Sequence, residues 1–162
     1  MKPLVSVVMP VRNGGPFLAG AVESILGQTE SNLELLLVDD QSSDGAISQL
    51  VRNDERLRLL VNAGEGVSAA FNTGLAHARG NFIARMDADD IAMPQRLEVQ
   101  LRFLQRHKEI DICGACVEIF SEQDVAGGNQ RYQSWLNGCR TPGSIRRELF
   151  IESPIPNPTA LF

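Results

Sequence analysis

Two carboxylates one residue apart, Asp87 and Asp89, are the feature of this chain best suited to chemistry. They lie in Met86-Asp87-Ala88-Asp89-Asp90, directly after an apolar segment. In an extended segment, residues two apart point to the same side, so this spacing lets both acids share one ion. Clustered carboxylates repel one another unless a cation lies between them. Hard divalent ions such as Mg²⁺ or Mn²⁺ are the natural partners of such oxygens. Asp87 and Asp89 are therefore candidate metal ligands, whereas Asp90 reads as a helix cap or local hydrogen-bond acceptor. A second acidic pair, Asp39-Asp40, closes another apolar run, and a third polar cluster, Pro10-Val11-Arg12-Asn13, follows the first.

The elements that must position these clusters alternate regularly. Segments 4–9, 33–38, 57–61 and 81–86 are short apolar runs of strand type, and 111–120 is expected to be a further strand. Between them, Gly14-Gly15-Pro16 opens a helix through Phe17, Leu18, Ala21, Val22 and Ile25. Ser42, Ser43 and Asp44 are N-cap candidates for a second helix. Residues 66–78 carry Val67, Ala70, Phe71, Gly74, Leu75 and Ala78 on one helical face, with Gly80 expected to cap the end. Asn72 and Thr73 fall off that face. Another helix starts near Pro94, with Leu97, Leu101 and Leu104 inward. Strand–helix alternation predicts an α/β domain with a mainly parallel sheet. Such sheets bind ligands beyond the C-terminal ends of their strands, which brings all three polar clusters to one crevice. Two are acidic and would repel a bare pyrophosphate; a divalent cation removes that conflict. Beyond residue 120 the pattern weakens. Gly127-Gly128-Asn129 and Thr141-Pro142-Gly143 read as loops, 144–150 as a short helix, and Thr159-Ala160-Leu161-Phe162 as the start of a strand.

Composition narrows the class. The chain has 162 residues, a hydrophobic fraction of 43% and a charged fraction of 22%, within the range of one globular domain. A net charge of -5 argues against nucleic acid, which requires a basic face. No run reaches the ~20 apolar residues that span a bilayer, and the N-terminal apolar run lacks a cleavage site, so a cytoplasmic location is expected. Three cysteines cannot all pair. Cys113-Gly114-Ala115-Cys116 has CxxC spacing without a second half-site, so buried structural thiols are expected.

Five segments in order resemble the large inverting family 2 glycosyltransferases: Val5-Ser6-Val7-Val8-Met9-Pro10-Val11-Arg12-Asn13, Ser24-Ile25-Leu26-Gly27-Gln28-Thr29, Leu37-Val38-Asp39-Asp40-Gln41-Ser42-Ser43-Asp44-Gly45, Asn72-Thr73-Gly74-Leu75-Ala76-His77-Ala78-Arg79-Gly80 and Met86-Asp87-Ala88-Asp89-Asp90. The resemblance implies a GT-A fold, Rossmann-like, with an α/β/α three-layer sandwich. One domain would span 1–162, with a nucleotide-sugar-binding core at 1–120 and an incomplete acceptor-side region at 121–162. It implies a nucleoside-diphosphate sugar as ligand, UDP-sugar favoured, and a saccharide or lipid-linked acceptor, as in cell-envelope polysaccharide synthesis. Pro10 and Val11 would meet the nucleoside through their backbone, with Asn13, Asn72 and Ala88 beside the ligand. One carboxylate of Asp39-Asp40, with Asp40 favoured, would bind the base. Asp87 would reach the ribose or the metal, and Asp89 would ligate the Mn²⁺ or Mg²⁺ on the diphosphate.

The chain departs from that family at three points. Arg12 stands where an aromatic residue is common, and Phe71 where an arginine often lies near the nucleotide. The family's catalytic base follows the Asn157-Pro158-Thr159 segment at some distance, and the unassigned acids Glu118, Glu122, Asp124 and Glu152 carry no motif for that role. The expectation is a C-terminally truncated piece that binds a nucleotide sugar and transfers poorly. Phosphatases of the dehalogenase type would need an Asp after the first strand, which Pro10-Val11-Arg12-Asn13 lacks. Sugar-nucleotide pyrophosphorylases would want a Gly-rich, basic loop after the first strand, which Gly14-Gly15 with one Arg matches thinly. The non-enzymatic alternative is a nucleotide-sugar-binding domain without transfer activity.

Overall fold

The structure is a computed structural model and describes residues 4–50, 53–120 and 127–162. Four strands form one parallel sheet in the order β3-β2-β1-β4: β1 Val5–Val11, β2 Leu33–Asp39, β3 Leu57–Val61 and β4 Phe82–Arg85. Every residue of β1 is buried, as is all of β2 up to Val38. Central parallel strands are covered on both faces, which is why their sequences run apolar without alternating. Helices α1 (Leu18–Leu26) and α4 (Arg96–Arg106) cover one face and α3 (Val67–His77) the other. Ala21, Ile25, Leu97 and Leu101 pack with Val5, Val7, Met9, Leu35 and Leu37, while Ala70 packs with Val8, Leu36 and Val38. The result is the expected α/β/α sandwich. Full burial of each such Val, Leu, Ile or Met side chain stabilises by about 1.5–3 kcal/mol.

The strand β1 runs through Pro10 rather than stopping before it. Its pairing with β4 ends at Val8↔Arg85, so Pro10 has only β2 beside it in the ladder, where a missing N–H is tolerated. Between Gly14 and α1 the chain makes one turn of 3-10 helix, Gly15–Phe17, with Pro16 in its first turn. The short helix α2 (Ala46–Gln49) has Gly45 as its N-cap residue, at φ 76°, with no side-chain cap. Ser42 and Ser43 do not cap it. Their polar atoms serve the neighbouring Asn13 loop instead.

Two glycines are fixed by close approach. A Cβ on Gly74 would lie 2.3 Å from Val8 Cγ1, so α3 can seat on β1 only through a bare backbone. Gly80 does not cap α3, whose C-cap residue is Ala78 in an extended conformation. A Cβ on Gly80 would lie 2.5 Å from the Ser6 nitrogen. Its N–H and that of Arg79 both donate to Ser6 Oγ (2.8 and 3.1 Å), and Ser6 donates in turn to Glu34 (2.7 Å). Glu34 also accepts from the Arg79 N–H and from Arg58. Burial opposes the Glu34 charge, yet these donors outweigh it and hold the carboxyl below its ordinary 4.5.

The sheet continues past β4 by an irregular route. Leu161 makes antiparallel bridges to Ala84 on one side and to Cys113 on the other. The final residues therefore do enter the sheet. Segment 111–120 departs from expectation, because only its Cys113 is bridged. Asn137 donates to the Val117 carbonyl and accepts from its N–H, and Gln133 accepts from the Ile119 N–H. These side chains project from α5 (Gly127–Gly138), a helix where a glycine-rich loop was expected. Polar groups that a strand partner would satisfy are met by a helix, so no ladder forms. The helix α6 spans Pro142–Glu148, with a capping box between Thr141 and Ser144. Of the cysteines, Cys113 is buried, but Cys139 is half-buried and Cys116 exposed; all three are free thiols. Cys116 thus departs from the expected burial. Among the described residues no helix is long and apolar enough to cross a membrane.

Two stability predictions follow from these contacts. Gly80→Ala should cost about 1–3 kcal/mol by overpacking, and more than Gly74→Ala, because its neighbour is strand backbone rather than a valine methyl; urea denaturation midpoints test the order. Glu34 has a folded pKa below its unfolded one, so its contribution is complete above pH 4.5 and lost as pH falls through the folded value. Glu34→Gln should lower the midpoint at pH 7 and flatten its decline below pH 4.5.

Candidate functional site

The C-terminal ends of β1, β2 and β4 open on two adjoining depressions that share Pro10, Arg12 and Val67 as a common wall. The first, about 280 Å³, is completed by Val11, Asp40 and Gly66. The second, about 430 Å³, reaches Asn13 and Phe17 and is closed by Arg85, Asp87, Ala88 and Asp89. Parallel register produces this layout. The β2 strand is paired with β1 as far as Val11↔Asp39, and the Asp40 N–H donates to the Val11 carbonyl. The first and second polar clusters are thereby side by side.

Asp40 is 3% exposed. Its Oδ1 accepts from Asn62 Nδ2 (2.6 Å), the Gly66 N–H spans both oxygens (3.3 and 3.0 Å), and Arg12 Nη1 stands 3.9 Å from Oδ2. A carboxylate has about four lone-pair positions. These protein donors leave room for one more N–H from a ligand in the adjoining depression. Gly66 holds φ at +87° to present its N–H, a conformation that L side chains rarely adopt. Asn62 is positioned in turn by Thr73, which donates to Asn62 Oδ1 and accepts from the Ala63 N–H. Thr73 is buried rather than lying off the packed face of α3, while Val67, expected inside, is exposed at the cleft wall.

Asn13, in the left-handed region at φ 56°, clasps the neighbouring loop. Its N–H donates to Ser42 Oγ and its Oδ1 accepts from the Ser43 N–H. Asp44 adds a second tie by accepting from the Gly15 and Ala46 N–H groups, and these donors hold its carboxyl below the usual range. Asp39 lies outside both linings, and its Oδ1 closes a turn by accepting from the Ser42 N–H. Asn72 is exposed on α3 and also lines neither depression. Of the residues singled out from the sequence, the cleft therefore gathers Pro10, Val11, Asn13, Asp40, Asp87, Ala88 and Asp89, and leaves Asp39 and Asn72 aside.

The acidic loop after β4 is a turn rather than an extended segment, with the Asp90 N–H directed at the Asp87 carbonyl. Asp87 and Asp89 still line one cleft. Asp87 pairs with Arg85, whose Nε lies 3.3 Å from Oδ1. Asp90 caps nothing: α4 begins at Arg96 with Gln95 before it. Burial, followed by the charges of Asp87 and Asp89, pushes the Asp90 carboxyl up. The loop is thus strongly electronegative, and its donors are hard carboxylate oxygens with Asp89 open to solvent. That donor set fits a divalent cation shared with an anionic ligand. Among the described residues no cluster of three or more potential ligands forms a closed cage, so other donors would have to come from a ligand or water.

Sequence reading missed Arg85 and Arg96. Arg96 is nearly enclosed and donates to the Arg85 carbonyl (2.8 Å), the Met86 sulfur and Gln100 Oε1. Burial pulls its pKa down to about 10, against the charges of Asp90, Cys113 and Asp87. A basic residue in the first turn of a helix, where the dipole disfavours it, was the available signal.

The family model described as glycosyl transferase family 2 matches residues 6–160. The protein EpsE of Bacillus subtilis is 38% identical over 77% of this chain and 47% of its own length. The UDP-Glc:alpha-D-GlcNAc-diphosphoundecaprenol beta-1,3-glucosyltransferase WfgD of Escherichia coli is 36% identical over 76% of the chain and 49% of its own. The chain thus spans about half the length of these relatives. Among solved structures, mannosyltransferase PcManGT from Pyrobaculum calidifontis, in complex with GDP-Man and Mn²⁺, superposes with a TM-score of 0.60 at 26% identity, covering 74% of this chain and 36% of that one. TarS of S. aureus with UDP-GlcNAc gives 0.65 at 24% identity, over 75% and 36%, and shares the fold. With a family model matched along almost its whole length and a GT-A sheet carrying the acidic loop, the chain belongs to glycosyl transferase family 2.

Proposed function

We propose that this chain binds a nucleoside-diphosphate sugar as the donor side of an inverting glycosyltransferase, with a UDP-sugar as the favoured donor. The observation that supports it is the cleft itself, with Asp40 at one end, Asp87 and Asp89 at the other, and Pro10 on the wall shared by the two depressions. Asp40 offers a fixed acceptor to a base N–H, while Asp89 and Asp87 would hold Mn²⁺ or Mg²⁺ against the diphosphate. Bound there, the ion would stabilise the charge that develops on the departing nucleoside diphosphate. The chain's own residues orient the donor: Asp40 and the Gly66 turn fix the base end, and the Asn13 clasp holds the wall between the two depressions. The preference for uracil draws on WfgD, whose donor is UDP-Glc, and the choice of ion on PcManGT, held with Mn²⁺. WfgD acts on a diphosphoundecaprenol-linked sugar, which makes a lipid-linked saccharide the favoured acceptor here.

Inverting transfer needs a carboxylate to take the acceptor's proton. Glu118 and Glu152 line neither depression, Glu152 accepting instead from the Tyr132 hydroxyl. Glu122 and Asp124 lie outside the described residues. No general base is therefore assigned among the described residues, and this observation favours a second reading, binding without transfer.

Calorimetry of UDP, GDP and dTDP in Mn²⁺ should find UDP tightest, and Asp89→Ala should weaken UDP at least ~10-fold, or ~1.4 kcal/mol, leaving only metal-independent binding. Unchanged UDP affinity in that variant would remove Asp89 from the metal site. Slow UDP-sugar hydrolysis that requires Mn²⁺ is expected of a transfer-competent site; Mn²⁺-dependent binding with no hydrolysis would favour the second reading.

A further inference from the structure

We propose that Arg85, seated on the ring of Phe71 and paired with Asp87, is an anion subsite that grips the diphosphate of the bound nucleotide. The proposal rests on the nucleotide-sugar reading above and adds to it a protein cation at a stated place.

Three observations support it. Arg85 is the last residue of β4, where alternation turns it away from the core that encloses Ala84 and Met86. It lines the same depression as Asp87 and Asp89, the end assigned to the diphosphate. Arg12, the other arginine of that lining, stands near Asp40 at the opposite end. The guanidinium is also held from two sides: Cζ lies 5.7 Å from the Phe71 centroid, and Nε is 3.3 Å from Asp87 Oδ1. A guanidinium held by a ring and a carboxylate has less freedom to move, and its planar fork matches phosphate oxygens two at a time. With Asp87 taking Nε, the Nη groups are the donors available to a ligand. Finally, Arg85 is only 22% exposed. A cation that served solubility alone would not be withdrawn from water to that degree, since desolvation penalises the charge. Phe71 and Asp87 offset that penalty at a spot facing the cleft.

A purely structural role, with Arg85 neutralising Asp87, would act on UDP through the Mn²⁺ that Asp87 holds, whereas a direct grip on the diphosphate weakens UDP with and without the ion. The test compares UDP with uridine on the chain and on Arg85→Gln, Arg85→Lys and Phe71→Leu, in saturating Mn²⁺ and in its absence, with NMR titration reaching the weak affinities. A loss of UDP affinity confined to Mn²⁺ would make Arg85 a structural residue and overturn the proposal. Arg85→Gln should weaken UDP at least tenfold and uridine less than twofold. Arg85→Lys, which keeps the charge without the fork, should fall between, and Phe71→Leu should lose about threefold for UDP only. Equal losses for UDP and uridine would reduce Arg85 to a structural residue and overturn the proposal. So would UDP affinity unchanged in Arg85→Gln while the unsubstituted chain binds UDP. Failure of the unsubstituted chain to bind UDP at all would overturn the nucleotide-sugar reading itself, and this inference with it.

Discussion

Five carboxylates at one edge of a four-stranded sheet repel one another, and the surrounding structure is arranged to contain that repulsion. Each acid is handled differently. Asp39 is absorbed into a turn by the Ser42 N–H, and Asp40 by Asn62, Gly66 and the more distant Arg12. Asp87 leans on Arg85, and Asp90 is half-withdrawn from solvent beside Arg96, its proton affinity raised. Asp89 is the one left exposed. The arrangement separates acids that build the cleft from the acid that is open to an incoming cation. That separation depends on arginines from the loop after β1, from β4 and from α4, so the site requires these three segments to be in place together.

The two central strands were readable because buried parallel strands have a distinctive signature. The runs 4–9 and 33–38 lack alternation, and only burial on both faces accounts for that. The helices α3 and α4 were readable from their faces, and the acidic ends of the strands indicated the crevice. What escaped the sequence depends on contacts between distant residues. Thr73 looked like a solvated position because helical periodicity places it off the apolar face. It is buried because Asn62, eleven residues earlier, needs its hydroxyl. Gly80 looked like a cap because glycine follows so many helices. Its actual constraint is the Ser6 backbone, more than seventy residues away.

The region after residue 110 shows why periodicity fails where side chains replace a ladder. Segment 111–120 has the composition of a strand, and its peptide groups are satisfied at the required spacing, but by Asn137 and Gln133 of α5. No sequence window containing only the segment could reveal this. The same holds for Phe71. From the sequence it marks a departure from the family, a lost basic contact near the nucleotide. In the fold its ring supports the guanidinium of Arg85, which the sequence places fourteen residues later on another element. The loss at one position and the gain at another are visible together only once α3 is packed on the sheet and Phe71 meets Arg85.

The last residues of the chain bear on the site more than their distance in sequence suggests. Without them β4 would be an edge strand, with half its peptide groups unpaired. Leu161, fully buried, fills that edge, and the Arg85 N–H donates to the Ala160 carbonyl at 2.9 Å. Gln100 of α4 reaches the Thr159 carbonyl at 2.8 Å and accepts from Arg96, which in turn holds the Arg85 carbonyl. Arg85 is therefore fixed at its nitrogen by segment 159–162, at its carbonyl by α4 and at its guanidinium by Phe71 and Asp87. A hydrogen-bonded chain thus runs from Thr159 through Gln100 and Arg96 to the residue two before Asp87. The acidic loop takes its position from this network as much as from the strand that precedes it.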